Sequence, residues 1–187
     1  MLKCTHDSEG LVIVRDKQKM DKKAAKQKLE AALRQNFYYV GREWPYKNVK
    51  PRIIAEKYME DSKTGELRDY KFFCFGGEPK IVLIAQDRNE QGVKIDFFNS
   101  EFQHLDLCGD NPNAATVPDK PIKFEEMLML ARKLSSPFCH VRVDFYEVDG
   151  QVYFGEFTFF HHSGFASFHP EKWDEIMGEW IELPYLR

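Results

Sequence analysis

Short apolar runs and period-two alternation recur at 1–4, 11–14, 52–59, 69–98 and 139–159, whereas apolar residues recur every three to four positions in only three stretches. The chain should therefore be strand-rich with few helices. Residues 1–4 and 11–14 are apolar runs around the polar Thr5-His6-Asp7-Ser8-Glu9-Gly10, which predicts two strands joined by a small-residue loop. Residues 21–37 carry Ala24, Ala25, Leu29, Ala32 and Leu33 at helical spacing among Lys and Gln, the pattern of an amphipathic surface helix. Residues 38–50 are irregular and aromatic, with Trp44-Pro45-Tyr46, and should wrap the surface. RIIAEKYM at 52–59 reads as a buried strand, followed by a turn-rich segment at 60–67.

Residues 69–75, 80–85 and 93–98 predict an antiparallel meander, its first two strands joined tightly at Gly76-Gly77. The Asp-, Asn- and Pro-rich stretch 108–121 predicts a loop, and a helix over 124–134 follows Pro121. Two strands at 139–147 and 151–159 flank Val148-Asp149-Gly150, and a short helix falls at 170–178. There are no internal repeats.

Length and composition narrow the class. The 187 residues suit one domain or two small lobes, and with 43% hydrophobic and 14% aromatic residues the chain can bury a core, which excludes disorder. A net charge of −3, with the charges interspersed along most of the chain, argues against a nucleic-acid binder. No apolar run reaches the 18 or so residues of a membrane span, and the start lacks a signal-peptide layout, so a cytoplasmic location is expected. Cys4, Cys74, Cys108 and Cys139 show no Cys-x-x-Cys spacing and read as reduced structural thiols.

The last hairpin concentrates charge, and its register decides which charges meet. A two-residue turn at Asp149-Gly150 would put Asp144 and Glu156 on opposite faces. A three-residue loop with Gly150 left-handed and bulged aligns them. In that register His140, Arg142, Asp144 and Tyr146 share a face with Val152, Phe154, Glu156 and Thr158, and Arg142 stands opposite Glu156. The other face reads Val141, Val143, Phe145, Tyr153, Gly155 and Phe157, almost purely core, and this separation favours the bulged loop. Asp144 and Glu156 then lie diagonally, about 7–8 Å apart at their backbones, within reach of a shared hard cation. Oxygen-only donors suit Mg²⁺ over zinc, and a nearby Arg suits a transferring phosphoryl group. The alternative is a salt-bridge lattice on a solvated sheet face. His161 and His162 are adjacent and so point apart on a strand, which argues against a shared zinc with His140 or His169.

Four strings occur in order: KCTHDSEG, YYVGREWPYKNVKPRIIAEKYMED, DYKFFCFGGEPK and VRVDFYEVDGQVYFGEFTFFHHSGF. Together they resemble the TupA-like branch of the ATP-grasp ligases, linked to teichuronopeptide and other cell-surface polysaccharide synthesis, over nearly the whole chain. The resemblance implies an α+β ATP-grasp fold whose two lobes, with antiparallel sheets, clasp a nucleotide: a small lobe over 1–60 with a hinge strand and a large lobe over 61–187 with the metal-binding hairpin. It implies ATP and Mg²⁺ as cofactors. Lys3 would hold nucleotide phosphates and act with Arg142 in catalysis, and His6, Ser8 and Gly10 would belong to the loop closing over those phosphates. Lys57 and Met59 would pair with the adenine edge through their backbones while Glu56 accepts from its amino group. Asp69 would contact the ribose and Lys71 a phosphate. Asp144, Glu156 and Thr158 would ligate metal, although Thr158 stands where the broader family commonly has Asn, a better ligand.

The implied reaction forms an acylphosphate from a carboxylate and ATP, which an amine then attacks to give an amide, ADP and phosphate. The partners would be a small-molecule, glycan or peptide carboxylate acceptor and an amine donor, with no nucleic acid and no transmembrane segment. A non-catalytic nucleotide-binding remnant and an ATP-dependent glycan kinase are the alternatives. Because the chain opens inside a strand, an N-terminal lobe or a partner chain is expected to complete the site.

Overall fold

The computed structural model describes residues 1–7, 10–65, 67–89 and 92–183. The chain separates into two compact units, Met1–Met59 and Glu60–Arg187.

The first unit is a three-stranded antiparallel sheet with one helix. Strand β1 (Leu2–Cys4) is central, flanked by β2 (Leu11–Val12) and β3 (Ile53–Ala55). Helix α1 (Lys22–Leu33) begins at Asp21, whose carboxylate accepts from Ala24 N at 2.9 Å as an N-cap. It buries Ala25, Leu29 and Ala32, with Leu29 and Ala32 packing on Cys4. The helix stops short of residue 37 because the Asn36 side chain accepts from Tyr38 N and starts a separate turn, α2 (Tyr38–Gly41). The expected buried strand over 52–59 is corrected: pairing covers Ile53–Ala55, and Ile53 is exposed. Backbone bonds between Met1 and Glu56 are the last of that ladder, so Lys57 and Met59 lie outside any strand.

The second unit is a five-stranded antiparallel sheet in the order β6–β5–β4–β7–β8, formed by β4 (Asp69–Phe75), β5 (Glu78–Asn89), β6 (Gly92–Phe98), β7 (His140–Val148) and β8 (Gln151–Thr158). The β4–β5 turn takes positive φ at both Gly76 and Gly77, which only glycine adopts cheaply. Helix α3 (Phe124–Ser135) covers one sheet face through Phe124, Met127, Leu128 and Ala131, which pack on Phe72, Val82, Val143 and Phe145. On the other face Phe73, Phe75, Ile81 and Leu83 are covered by Trp173 and Met177 of α4 (Lys172–Glu179) and by Leu107. Period-two alternation on central strands thus produces two cores, and Lys71 emerges on the second face between Phe73 and Asp69.

The register of the β7–β8 hairpin differs from expectation. The turn is a two-residue one, with Asp149 and Gly150 both at positive φ and Val148 opposite Gln151. The bulge sits instead at Gly155: Phe145 pairs with Phe154, and Asp144 pairs with Glu156. Asp144 and Glu156 do share a face, but directly opposed and not diagonal, and Arg142 stands opposite Thr158 and not Glu156. Beyond the bulge the face assignments reverse, so Tyr153 lies with Tyr146 on the charged face, while Val152 packs with the Phe145 core. Gly155 is required there: a Cβ would lie 3.0 Å from Asp144 O and 3.1 Å from the Tyr146 ring.

Candidate functional site

The charged face of the large sheet holds a closed set of contacts. Lys71 on β4 and Asp144 on β7 are register partners, and Lys71 Nζ donates to Asp144 Oδ2 at 2.5 Å. Arg142, two residues before Asp144 on the same strand face, grips the same carboxylate with two prongs, Nε to Oδ1 at 2.7 Å and Nη2 to Oδ2 at 2.8 Å. Asp144 is 1% exposed and Arg142 7%, so the pair is desolvated. Glu156, opposite Asp144, keeps its side chain 60% exposed, 3.6 Å from Arg142 Nη2. Thr158 Oγ1 donates to Glu156 Oε1 at 3.4 Å. Asp69 is buried, with Oδ1 3.9 Å from Lys71 Nζ.

His161 completes the cluster. Arg142 Nη1 lies 2.6 Å from His161 Nδ1. Arginine has only donors, so the imidazole accepts at Nδ1 and is neutral. Its pKa is pushed down to about 3, first by burial and then by the positive charges of Arg142 and His162. The ring stands edge-on to Phe73, centroids 5.1 Å apart. The chain delivers it through a short 3₁₀ turn, His161–Gly164, in which His162 and Ser163 both take positive φ. That turn breaks the strand pattern after Thr158, and alternation along the sequence could not foresee where His161 points. The one available signal was two consecutive histidines after a strand of functional residues.

Arg142, Asp144, Glu156, Thr158, Lys71 and Asp69 therefore converge in the second unit. In the first unit Lys3 Nζ forms an ion pair with Glu56 Oε1 at 2.9 Å, each side chain a little over a third exposed. Lys57 is exposed. His6 is buried, with no hydrogen-bond partner for either ring nitrogen among the described residues. Gly10 packs against α1, where a Cβ would meet Ala32 Cβ at 2.5 Å. Ser8 lies outside the described residues.

Asp144 and Glu156 fit a magnesium ion by donor chemistry. They are hard oxygen ligands directly opposed on one face, Glu156 exposed and Asp144 buried with both oxygens already accepting from Arg142 and Lys71. No group of three or more His, Cys, Asp or Glu side chains able to hold a metal occurs among the described residues. Two carboxylates suit an ion that keeps several waters and takes phosphate oxygens as further ligands, and not a closed structural zinc site.

Comparison with known families matches residues 1–182 to the family described as TupA-like ATPgrasp. The chain is a TupA-like ATP-grasp protein, with the α+β fold and antiparallel sheets that the resemblance implied. Membership supports an ATP-dependent, ligase-type role in a family that generally uses ATP with Mg²⁺. A search of curated proteins finds no match. No helix among the described residues is long and apolar enough to cross a membrane.

Proposed function

We propose that the protein is an ATP-dependent carboxylate–amine ligase of cell-surface polysaccharide synthesis, working through an acylphosphate. The observation that carries the reading is the Lys71–Asp144–Arg142 cluster facing Glu156. A guanidinium has five N–H donors. Asp144 takes two and His161 a third, so Arg142 is fixed in orientation with one N–H left on each of Nη1 and Nη2. Those two can bind oxygens of a phosphoryl group or of the tetrahedral centre formed when an amine attacks the acylphosphate. Lys71, with three donors and one firm contact, supplies a second cation to the same region. Asp144 and Glu156 would hold Mg²⁺, which when bound neutralises phosphate charge. Lys3 and Glu56 of the first unit are assigned to the nucleotide phosphates and the adenine edge, and Lys57 and Met59 to that edge through their backbones.

Nothing in this scheme needs a covalent nucleophile on the protein. Positioning and charge stabilisation carry phosphoryl transfer.

Calorimetric titration with ATP and ADP, with and without Mg²⁺, tests the nucleotide part. Glu156→Gln should lose the magnesium-dependent component of binding while remaining folded, because the side chain is exposed. Product analysis with uronic-acid oligosaccharide and an amino acid tests the chemistry. Free phosphate and a new amide support the ligase, whereas phosphate retained on the glycan indicates a kinase. A folded chain that binds no nucleotide overturns the reading.

A further inference from the structure

The charges are interspersed along most of the sequence, but they do not balance between the units. Residues 1–59 hold 14 Lys and Arg against seven Asp and Glu, a net +7, whereas residues 60–187 hold 13 against 23, a net −10. The small total of −3 conceals a strongly cationic first unit.

Within that unit α1 turns Ala25, Leu29 and Ala32 inward and presents Lys22, Lys23, Lys26 and Lys28 to solvent. Lys26 lies 3.7 Å from Glu30, while Lys22, Lys23 and Lys28 have no carboxylate partner among the described residues. The buried stripe packs on Cys4, whereas Lys3, the next residue along β1 and so on the opposite sheet face, pairs with Glu56, the two residues assigned to nucleotide.

Immediately after α1 the chain exposes apolar surface. Tyr39, Val40 and Trp44 are 69%, 75% and 60% exposed. They are held as a group: Tyr38 meets Tyr39 and Trp44 edge-on at 5.4 and 6.1 Å, and Lys47 Nζ lies 4.3 Å from the Trp44 ring centre. Asn36, just past the end of α1, donates to Lys47 O at 3.3 Å and ties the segment to the helix.

We propose that the first unit docks on an anionic phospholipid surface, the α1 lysines meeting the headgroups and Tyr39, Val40 and Trp44 entering the headgroup layer. Charge complementarity selects an anionic partner, and the exposed apolar group selects a membrane over a soluble polyanion. A polyanion without bases would satisfy the lysines and leave Val40 and Trp44 in water, and bases could stack on Trp44 but not on the aliphatic Val40, whereas a lipid interface accommodates both sets. The attachment is peripheral and uses surface side chains alone. It rests on charge and exposure in the first unit, independently of any reaction in the second.

The test sediments the full chain with vesicles of phosphatidylcholine alone or mixed with phosphatidylglycerol, at low and high salt. Pelleting is expected with the mixed vesicles only, weakening as salt screens the lysines. A Lys22→Gln, Lys23→Gln, Lys26→Gln, Lys28→Gln variant should lower the partition coefficient by about tenfold or more. A Tyr39→Ser, Val40→Ser, Trp44→Ser variant should lower it by about tenfold while keeping its salt dependence. Both variants change exposed positions, and unchanged circular dichroism and thermal unfolding confirm that each has folded. Failure of the wild-type chain to pellet with mixed vesicles overturns the proposal, as does pelleting unaffected by either variant. If soluble polyglutamate releases the chain from vesicles and binds wild type and the Tyr39/Val40/Trp44 variant equally well, the surface is a polyanion site and the membrane proposal falls.

Discussion

Arg142 is held at three points, and the third is the one that reading the sequence missed. Asp144 fixes the plane of the guanidinium, and the neutral His161 ring fixes its remaining rotation. In the proposed ligase His161 would position Arg142. His161→Phe keeps the bulk against Phe73 but removes the acceptor, so kcat should fall by about tenfold to a hundredfold with the KM for ATP little changed, in phosphate-release assays. His161→Gln, whose amide oxygen can accept from Arg142, should recover part of that loss, an outcome a purely packing role would not give. The same residue predicts an acid sensitivity. Its pKa is about 3 when folded and near 6.5 when unfolded, so the unfolded chain binds more protons between those values. Its contribution is full above pH 6.5 and is lost as pH falls toward 3. The wild type should therefore lose stability across that window more steeply than His161→Phe, by on the order of a few kcal/mol, measured by urea unfolding at stepped pH. The sequence shows the histidines, but the strand alternation that would point them apart does not hold: they lie in a 3₁₀ turn with ring centroids 4.6 Å apart, and the positive φ at His162 and Ser163, which aims His161 at Arg142, follows from tertiary contacts that no local pattern records.

The large sheet was the most legible part of the chain. Asp69–Phe75 is legible at both ends because seven residues rich in aromatics, too few for a typical helix, end at the turn glycines Gly76-Gly77. Helix α3 was likewise clear from its four-residue apolar repeat after Pro121. The register of β7–β8 was only half legible. Asp144 and Glu156 were correctly placed on one face, yet through a bulge at the turn, whereas the bulge lies at Gly155. A bulge anywhere between Asp144 and Glu156 restores their parity, so pattern alone cannot locate it, and Tyr153 and Val152 changed faces as a result. That bulge makes Gly155 an element-scale test. Gly155→Ala places a methyl 3.0 Å from Asp144 O, and neither β7 nor β8 can shift without disturbing the ladder. The variant should lose about 1–3 kcal/mol of stability in urea titrations. It should also weaken magnesium-dependent nucleotide binding more than Gly109→Ala, whose added Cβ finds its nearest neighbour at an ordinary 3.6 Å.

At the scale of the molecule, the two carboxylates of the hairpin carry opposite burdens, and this separates folding from function. Asp144 is buried between Lys71 and Arg142, so Asp144→Asn removes the anion that both cations face and should cost about 3–5 kcal/mol in the ligand-free chain. Glu156 is exposed and lies outside the close contacts of that pair, so Glu156→Gln should leave ligand-free thermal unfolding nearly unchanged. Adding MgATP at about a hundred times its Kd should stabilise the wild type by about 2.7 kcal/mol, since ligand bound only to the folded state shifts the equilibrium by mass action. For a chain of this length that corresponds to a rise in melting temperature of about 5–10 °C. The increment should shrink in Glu156→Gln when Mg²⁺ is present, and should become equal for the two proteins when EDTA is added with ATP. An unchanged increment in Glu156→Gln would remove Glu156 from the metal site and leave Asp144 as a structural anchor for Arg142 alone.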